Sequence, residues 1–228
     1  METVSDRLTL VGTIHVDPAS GSFVRETILC LKPEVVCLEL DEARLASLLR
    51  PSDRRGTFSG GAPFLIIALL EKFAGNITGS SPGGEMVQAV EAARMVGSRI
   101  QLVDLPISST IKALRKLPLK EKATLGLDSI LSFVLLPFGR LNFSKLTQDF
   151  DDQIRLFRRR YPELSRILLD VREDYMADRI RNILDMTSGQ VVAVVGYGHM
   201  RSLAKRLEST KSRRPFSTTL TWQVSTAN

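Results

Sequence analysis

Two stretches of the sequence share one pattern: LTLVGTIH at residues 8–15 and VAVVGYGH at residues 192–199. Each is a short apolar run rich in β-branched residues, and each reaches a glycine that is followed three residues later by a histidine. Apolar runs of this kind that end at a glycine predict buried strands. The pattern therefore predicts two strands, each with a histidine just beyond its carboxyl end.

Two further apolar runs, residues 35–40 and 100–104, predict a second and a third strand, so that the strand at 191–195 is the fourth. A helix should begin at Ser20 or Ser22 and end at Leu31, before Lys32-Pro33. Further helices are predicted at 42–49, 63–74, 85–96 and 200–207. Strands that alternate with helices predict an α/β fold, a parallel sheet of about four strands flanked by helices. A helical insertion, about residues 108–185, should separate strands three and four.

The composition is that of one globular domain. Of 228 residues, 43% are hydrophobic and 25% charged, which excludes disordered, collagen-like and disulfide-scaffold classes. We expect the domain to cover residues 1–208. Residues 209–228 should form a polar tail with a candidate edge strand at 219–224.

Several features of the sequence bear on location and partners. The first residues lack a secretory signal, the two cysteines favour a reducing compartment, and the longest apolar stretches fall short of the ~20 residues of a membrane span. We therefore expect a cytoplasmic protein without a transmembrane segment. Basic clusters, at 158–160 and near the C-terminus, have no interleaved aromatic residues, which disfavours a nucleic-acid partner and leaves peripheral contact with anionic lipid open. A homo-oligomer is also left open.

Three residues at or just beyond the carboxyl ends of predicted strands form a candidate site. In open parallel sheets, ligands bind at the carboxyl ends of the strands. If the first and fourth strands are neighbours, His15 and His199 converge there, and Glu39 adds a carboxylate from the second strand. A buried carboxylate needs a partner, either a bound metal ion or an ion pair with Arg44 or Arg172.

Two imidazoles and one carboxylate are typical ligands of catalytic zinc, and manganese or cobalt would fit the same groups. Such a metal lowers the pKa of bound water toward ~7 and polarises a carbonyl group. A separate carboxylate must then move the proton. Glu85 is the candidate, since it follows a Pro-Gly-Gly turn in the first turn of a predicted helix. The alternative is an ordinary first-turn acid that complements the helix dipole.

Several separated motifs resemble those of the TraB family, which includes the PrgY-like pheromone-shutdown proteins and is distantly related to the Tiki metalloproteases. The matching motifs are GTIHV at 12–16, KPEVVCLEL at 32–40, PGGEM at 82–86, YPEL at 161–164 and VAVVGYGH at 192–199. The resemblance implies a fold like that of the erythromycin-esterase and ChaN group. It also implies a site of the two Gly-x-x-His histidines with glutamates and an arginine, here His15, His199, Glu39, Glu85 and Arg172.

The leading hypothesis is a metal-dependent hydrolase, a peptidase acting on a peptide or protein signal, in which Arg172 holds a substrate carboxylate or the oxyanion. One alternative is a peptide-binding inhibitor that sequesters its ligand without cleaving it. Another is metal-free hydrolysis by a His-Glu pair. Leu105 and Val171 stand where family members usually have arginine and glutamate. That double change is either the removal of a matched charge pair or a step toward an inactive site.

Overall fold

The structure, a computed structural model, describes residues 1–13, 18–49, 83–135 and 150–208. Its strands are β1 (Glu2–Ser5), β2 (Leu8–Thr13), β3 (Val35–Leu38), β4 (Arg99–Leu102) and β5 (Val191–Gly196). Its helices are α1 (Pro18–Leu31), α2 (Glu42–Leu49), α3 (Gly84–Val96), α4 (Ile107–Arg115), α5 (Leu119–Leu135), α6 (Phe150–Arg160), α7 (Pro162–Ser165), α8 (Val171–Asp185) and α9 (Tyr197–Glu208). A π-helical turn, Arg166–Asp170, joins α7 to α8.

The strands form one sheet in the order β1-β2-β5-β3-β4. The four strands predicted from apolar runs are mutually parallel, which confirms the predicted α/β fold. The first strand, β1, was not predicted, and it pairs antiparallel to β2 through a tight turn. Its sequence, ETVS, has a single apolar residue and alternates between exposed and half-buried positions, so no hydrophobic signal marks it.

Helices cover both faces of the sheet, and the alternation of side chains along β5 shows why. Val191, Ala193 and Val195 pack with Met176 and Ile180 of α8 and with Leu203 of α9. The intervening residues of β5 belong to a second core on the opposite face, together with α1 and α3. Since every residue of β5 is buried, both faces of the sheet have to be covered by helices.

The glycine of the first Gly-x-x-His motif is explained by helix packing. A Cβ atom built on Gly12 would lie 2.7 Å from Sδ of Met200 and 3.4 Å from Cδ2 of Tyr197. The φ of Gly12 lies outside the left-handed region, so the backbone conformation does not require glycine there. What the residue allows is the close approach of α9 to β2.

The predicted helical insertion is present between β4 and β5 and comprises α4 to α8. It has a small core of its own, formed by Leu114, Leu117, Leu164 and Ile167. Its last part runs helically from Pro162 to Asp185 through the π-helical turn. This turn, a feature often found at functional sites, ends two residues before Arg172.

Several helix and strand boundaries differ from those predicted, and three of them are informative. The helix α1 begins at Pro18 rather than at a serine cap, since the fixed φ of proline suits the first helical position. The helix α9 begins at Tyr197, directly after β5, so that His199 lies in its first turn. The strand β3 ends at Leu38, and Glu39 is therefore the first residue beyond it.

Some predictions concern residues outside the described ranges. These are His15, the helix at 63–74, the polar tail 209–228 and its edge strand at 219–224. Of the helices in the described part of the chain, none combines the length and apolar character that a membrane span requires.

Candidate functional site

The carboxyl ends of β2, β5 and β3 lie side by side. Thr13 is in register with Gly196, and Leu38 is in register with Val194. The first and fourth predicted strands are thus neighbours, as the convergence of the two histidines required. Glu39 follows β3 directly, and His199 follows β5 by three residues. Thr13 is the last described residue before His15, which lies outside the described ranges.

Glu39 is buried at this edge, and both of its carboxylate oxygens have partners. Oε2 accepts a hydrogen bond of 2.6 Å from the backbone N–H of Gly196, and Oε1 accepts one of 2.5 Å from Nη2 of Arg172. Burial raises the pKa of Glu39, but the charge of His199 in its protonated form, the charge of Arg172 and the Gly196 hydrogen bond outweigh it and lower the pKa to about 2. Glu39 is therefore a carboxylate at neutral pH.

Arg172 is held between two acidic side chains. Its Nε and Nη2 donate to Oδ1 and Oδ2 of Asp104 over 3.0 and 2.7 Å, a two-pronged arrangement, while Nη2 also donates to Glu39. Burial lowers the pKa of Arg172, but the two carboxylates outweigh this and raise it above its ordinary value. Arg44 donates to the same Asp104 over 2.5 Å. Of the two cations considered for Glu39, Arg172 is the one in direct contact.

His199 lies between two carboxylates. Its Nδ1 is 3.2 Å from Oε1 of Glu173, and its Nε2 is 3.4 Å from Oε1 of Glu39. The Glu173 side chain is fully buried, and its Oε2 lies 2.7 Å from Nη1 of Arg206. Both carboxylates accept hydrogen bonds, so a protonated ring donates to each of them. In the neutral ring we assign the proton to Nδ1, which has the shorter of the two contacts. The Nε2 lone pair then faces Glu39.

Two acceptor atoms that face each other need a proton or a metal ion between them. Ligand atoms bonded to zinc at ~2.0–2.2 Å in a tetrahedral arrangement lie roughly 3.3–3.6 Å apart. The observed 3.4 Å between Nε2 of His199 and Oε1 of Glu39 fits that spacing. Within the described ranges, no three His, Cys, Asp or Glu side chains are grouped as metal ligands. The described residues therefore supply two possible ligand atoms at this spacing. The third predicted ligand, His15, lies outside the described ranges.

Glu85 occupies the first turn of α3 and is 6% exposed. The residue before this helix, Gly83, has a φ of 89°, and a Cβ atom there would lie 2.5 Å from Cδ2 of Leu48. The positive φ is what favours glycine at this turn, since the Leu48 methyl group ends a flexible side chain. Because α3 leads into the amino end of β4, its first turn lies toward the carboxyl edge of the sheet, the edge that carries Glu39.

Three residues of the site were not singled out as functional by the sequence pattern. Asp104 could have been found, since it lies two residues beyond the end of β4, the strand that pairs with β3. Glu173 and Arg206 lie on α8 and α9 with no spacing that links them to His199. Their roles depend on how these two helices pack together.

Asp41, also beyond β3, has a structural role. Its Oδ1 accepts from the backbone N–H of Arg44 over 2.7 Å, and its Oδ2 accepts from that of Ile107 over 2.5 Å. These are first-turn groups of α2 and α4, so one carboxylate holds the starts of two helices.

Sequence similarity to known proteins covers most of this chain. An uncharacterized protein of Methanocaldococcus jannaschii is 30% identical, over 87% of this chain and 53% of its own length. TraB domain-containing proteins of Bos taurus and Homo sapiens are each 27% identical, over 87% of this chain and 62% of their own length. The chain thus spans little more than half the length of these relatives.

A sequence model of the TraB/PrgY/gumN family matches residues 2–211. The matched range contains β1 to β5, the helical insertion and all five predicted site residues. Because the match covers nearly the whole chain, this protein belongs to the TraB/PrgY/gumN family.

Proposed function

We propose that this protein is a metal-dependent hydrolase that cleaves peptide bonds in a peptide or protein signal. The observation that supports it is the pair of facing acceptors, Nε2 of His199 and Oε1 of Glu39, 3.4 Å apart at the carboxyl edge of the sheet. The choice of a peptide substrate rests on the resemblance to the Tiki metalloproteases.

His199 and Glu39, with His15, would hold a zinc, manganese or cobalt ion. When bound, such an ion supplies an acidic water and polarises a carbonyl group. The remaining residues orient this pair. Glu173 holds the imidazole of His199 through Nδ1, and Arg172 fixes the carboxylate of Glu39. Glu85 accepts the proton of the attacking water and returns it to the leaving amine.

This proposal changes the role expected for Arg172. The expectation was that its guanidinium holds a substrate carboxylate or the oxyanion. In the structure, Nε and Nη2 donate to Asp104 and Glu39, and Nη1 donates to the carbonyl of Leu168 over 3.3 Å. We therefore propose that Arg172 is a positioning residue for Glu39.

Elemental analysis of protein purified without chelators tests the metal site. We expect about one equivalent of zinc, manganese or cobalt per chain, as one three-ligand site requires. His199→Ala and Glu39→Gln should lose it. Glu34→Gln is the matched control. Glu34 lies directly before β3, and its partners, the side chain of Arg99 and the backbone N–H of Gly189, are at the surface and away from the predicted ligands.

Mass spectrometry of a peptide mixture after incubation tests the activity. Cleavage should require metal and should fall by roughly 10²–10⁴-fold in Glu85→Gln, the usual cost of losing a general acid–base group. A wild-type protein without metal, together with unchanged cleavage in His199→Ala, would contradict the proposal.

A second candidate function is peptide binding without cleavage. The ion pair between Glu39 and Arg172, at 2.5 Å, favours it, because this buried carboxylate already has a charged partner and does not depend on a metal for one. In the same incubation, intact peptide that co-purifies with the protein would support sequestration over hydrolysis.

A further inference from the structure

A cavity of about 300 Å³ is lined by residues of α9, beginning with Gly198, and by residues of α6 and the π-helical turn. It brings together Arg158, from the basic cluster at 158–160, and Lys205 and Arg206, which lie far from it in the sequence. The cavity is lined by Ile154, Arg158, Asp170, Gly198, Arg201, Ser202, Lys205 and Arg206.

The lining is strongly basic, with four cationic side chains and one acidic side chain. Two more acids contact Arg206 from outside the lining: Glu173 lies 2.7 Å from its Nη1, and Asp174 accepts from its Nε over 2.7 Å. Counting these two acids, positive charge still exceeds negative charge around the cavity. A cavity with this excess concentrates anions.

The acidic neighbours hold the arginines in fixed positions. Asp170 accepts from Nη1 of Arg158 over 2.5 Å and lies 3.6 Å from Nη2 of Arg206. Each guanidinium is thus anchored on one side, which lowers the entropy that a ligand would have to remove on binding. Planar guanidinium groups suit the tetrahedral oxyanions of phosphate, to which they donate in pairs.

Two further features make the cavity suitable for a multiply charged anion. The Lys205 ammonium, among the described residues, makes no hydrogen bond or ion pair and stands one turn along α9 from Arg201 and Ser202. Gly198, without a side chain, leaves room for a ligand against the start of α9. The volume exceeds that of a single phosphate group and leaves space for the group to which it is esterified.

We propose that this cavity binds a phosphate group, carried by a soluble phosphate compound or by a lipid headgroup. A phosphate monoester carries about −1.5 to −2 charges at neutral pH, which matches a lining with several cations better than a single carboxylate does. The proposal is independent of hydrolysis and of any metal at His199.

Calorimetric titration of the full chain with inorganic phosphate tests the cavity directly. The protein is first stripped of metal by dialysis against a chelator and then against chelator-free buffer, so that phosphate cannot bind through a metal ion. We expect saturable binding that weakens as salt is added. Lys205→Glu should weaken it by about tenfold or more, and Lys205→Arg should preserve it within roughly threefold.

Lys116→Glu is the matched control, because it makes the same charge change at an exposed lysine outside the lining. Circular dichroism of every variant verifies that it is folded. The proposal is overturned if the folded wild-type protein shows no saturable phosphate binding, or if the Lys205→Glu and Lys116→Glu variants weaken binding equally.

Co-sedimentation with phosphatidylcholine vesicles, with and without phosphatidic acid, separates the two sources. Phosphate binding together with vesicle binding that Lys205→Glu abolishes would identify a lipid headgroup. Phosphate binding without vesicle binding would identify a soluble phosphate compound. Vesicle binding without phosphate binding would point to general surface attraction and would overturn the cavity as the site.

Discussion

Glu173 Oε1 lies 3.2 Å from Nδ1 of His199, and the carboxylate that makes this contact is fully buried. A buried acceptor at Nδ1 sets both the tautomer and the orientation of the ring. Nε2 is thereby presented to Glu39 as a lone pair, although Glu173 itself is not among the predicted ligands. The same carboxylate contacts Arg206, which connects this part of the site to α9.

Replacing Glu173 with glutamine should weaken metal binding by roughly 10–100-fold, the usual effect of removing an outer partner of a ligating histidine. The amide can offer a donor to Nδ1 in place of an acceptor, so the tautomer with a free Nε2 is no longer favoured. Competition with a chelating dye measures the zinc affinity.

Asp174→Asn is the control for Glu173→Gln. Asp174 is the next residue on α8 and contacts the same Arg206, but its side chain is 70% exposed and lies away from His199. It should leave the zinc affinity within roughly twofold, since exposed ion pairs contribute little. Equal affinities in all three proteins would show that Glu173 does not orient the ring.

Arg172→Met should lower the free energy of unfolding by about 3–5 kcal/mol, because it leaves buried Glu39 without its arginine and leaves buried Asp104 with Arg44 alone. The Glu39 and Asp104 side chains that contact Arg172 are 6% and 1% exposed. Urea denaturation followed by circular dichroism gives the value. Arg99→Met, which removes an exposed pair with Glu34, should cost about 0–1 kcal/mol. A similar small loss in both variants would contradict the buried ion-pair network.

The stability of the protein should fall as the pH is lowered from about 4.5 to about 2, the ordinary and the folded-state pKa of Glu39. Because the folded pKa is depressed, the unfolded chain takes up the proton first, so this contribution is complete above pH 4.5 and lost toward pH 2. The loss attributable to Glu39 is about 3 kcal/mol across that window.

Denaturation of metal-free protein at successive pH values, compared with Glu39→Gln, isolates this contribution. Other carboxylates titrate in both proteins and cancel in the difference. The difference between wild type and variant should shrink as the pH falls. Parallel curves across the window would show that the pKa of Glu39 is not lowered by folding.

Gly12→Ala should destabilise the protein by about 1–3 kcal/mol, the usual range for overpacking. The new methyl group would meet Sδ of Met200 at 2.7 Å, and a smaller residue at Met200 should reduce the cost. Thermal denaturation of the single and double variants measures this coupling. Gly126→Ala is the opposite control, since nothing lies within 4 Å of a Cβ atom there. Because alanine favours the helix more than glycine does, this change should raise the free energy of unfolding by up to ~1 kcal/mol.

Local patterns in the sequence decided the four parallel strands, most of the helices and the placement of Glu39 and His199 at the carboxyl ends of two strands. These features follow from hydrophobic periodicity, which depends on residues only a few positions apart. The strand β1 was not predicted, because it has no apolar pattern of its own. It is a strand because it pairs with β2.

The partner of each charge was decided only by the tertiary structure. The sequence left Arg44 and Arg172 as equal partners for Glu39, whereas the fold pairs Glu39 with Arg172 and directs Arg44 to Asp104. Likewise, only the packing of α8 against α9 brings Glu173 to His199. Glu39 and Arg172 are 133 positions apart, and contacts at that separation depend on how whole helices cross the sheet, which short-range periodicity does not encode.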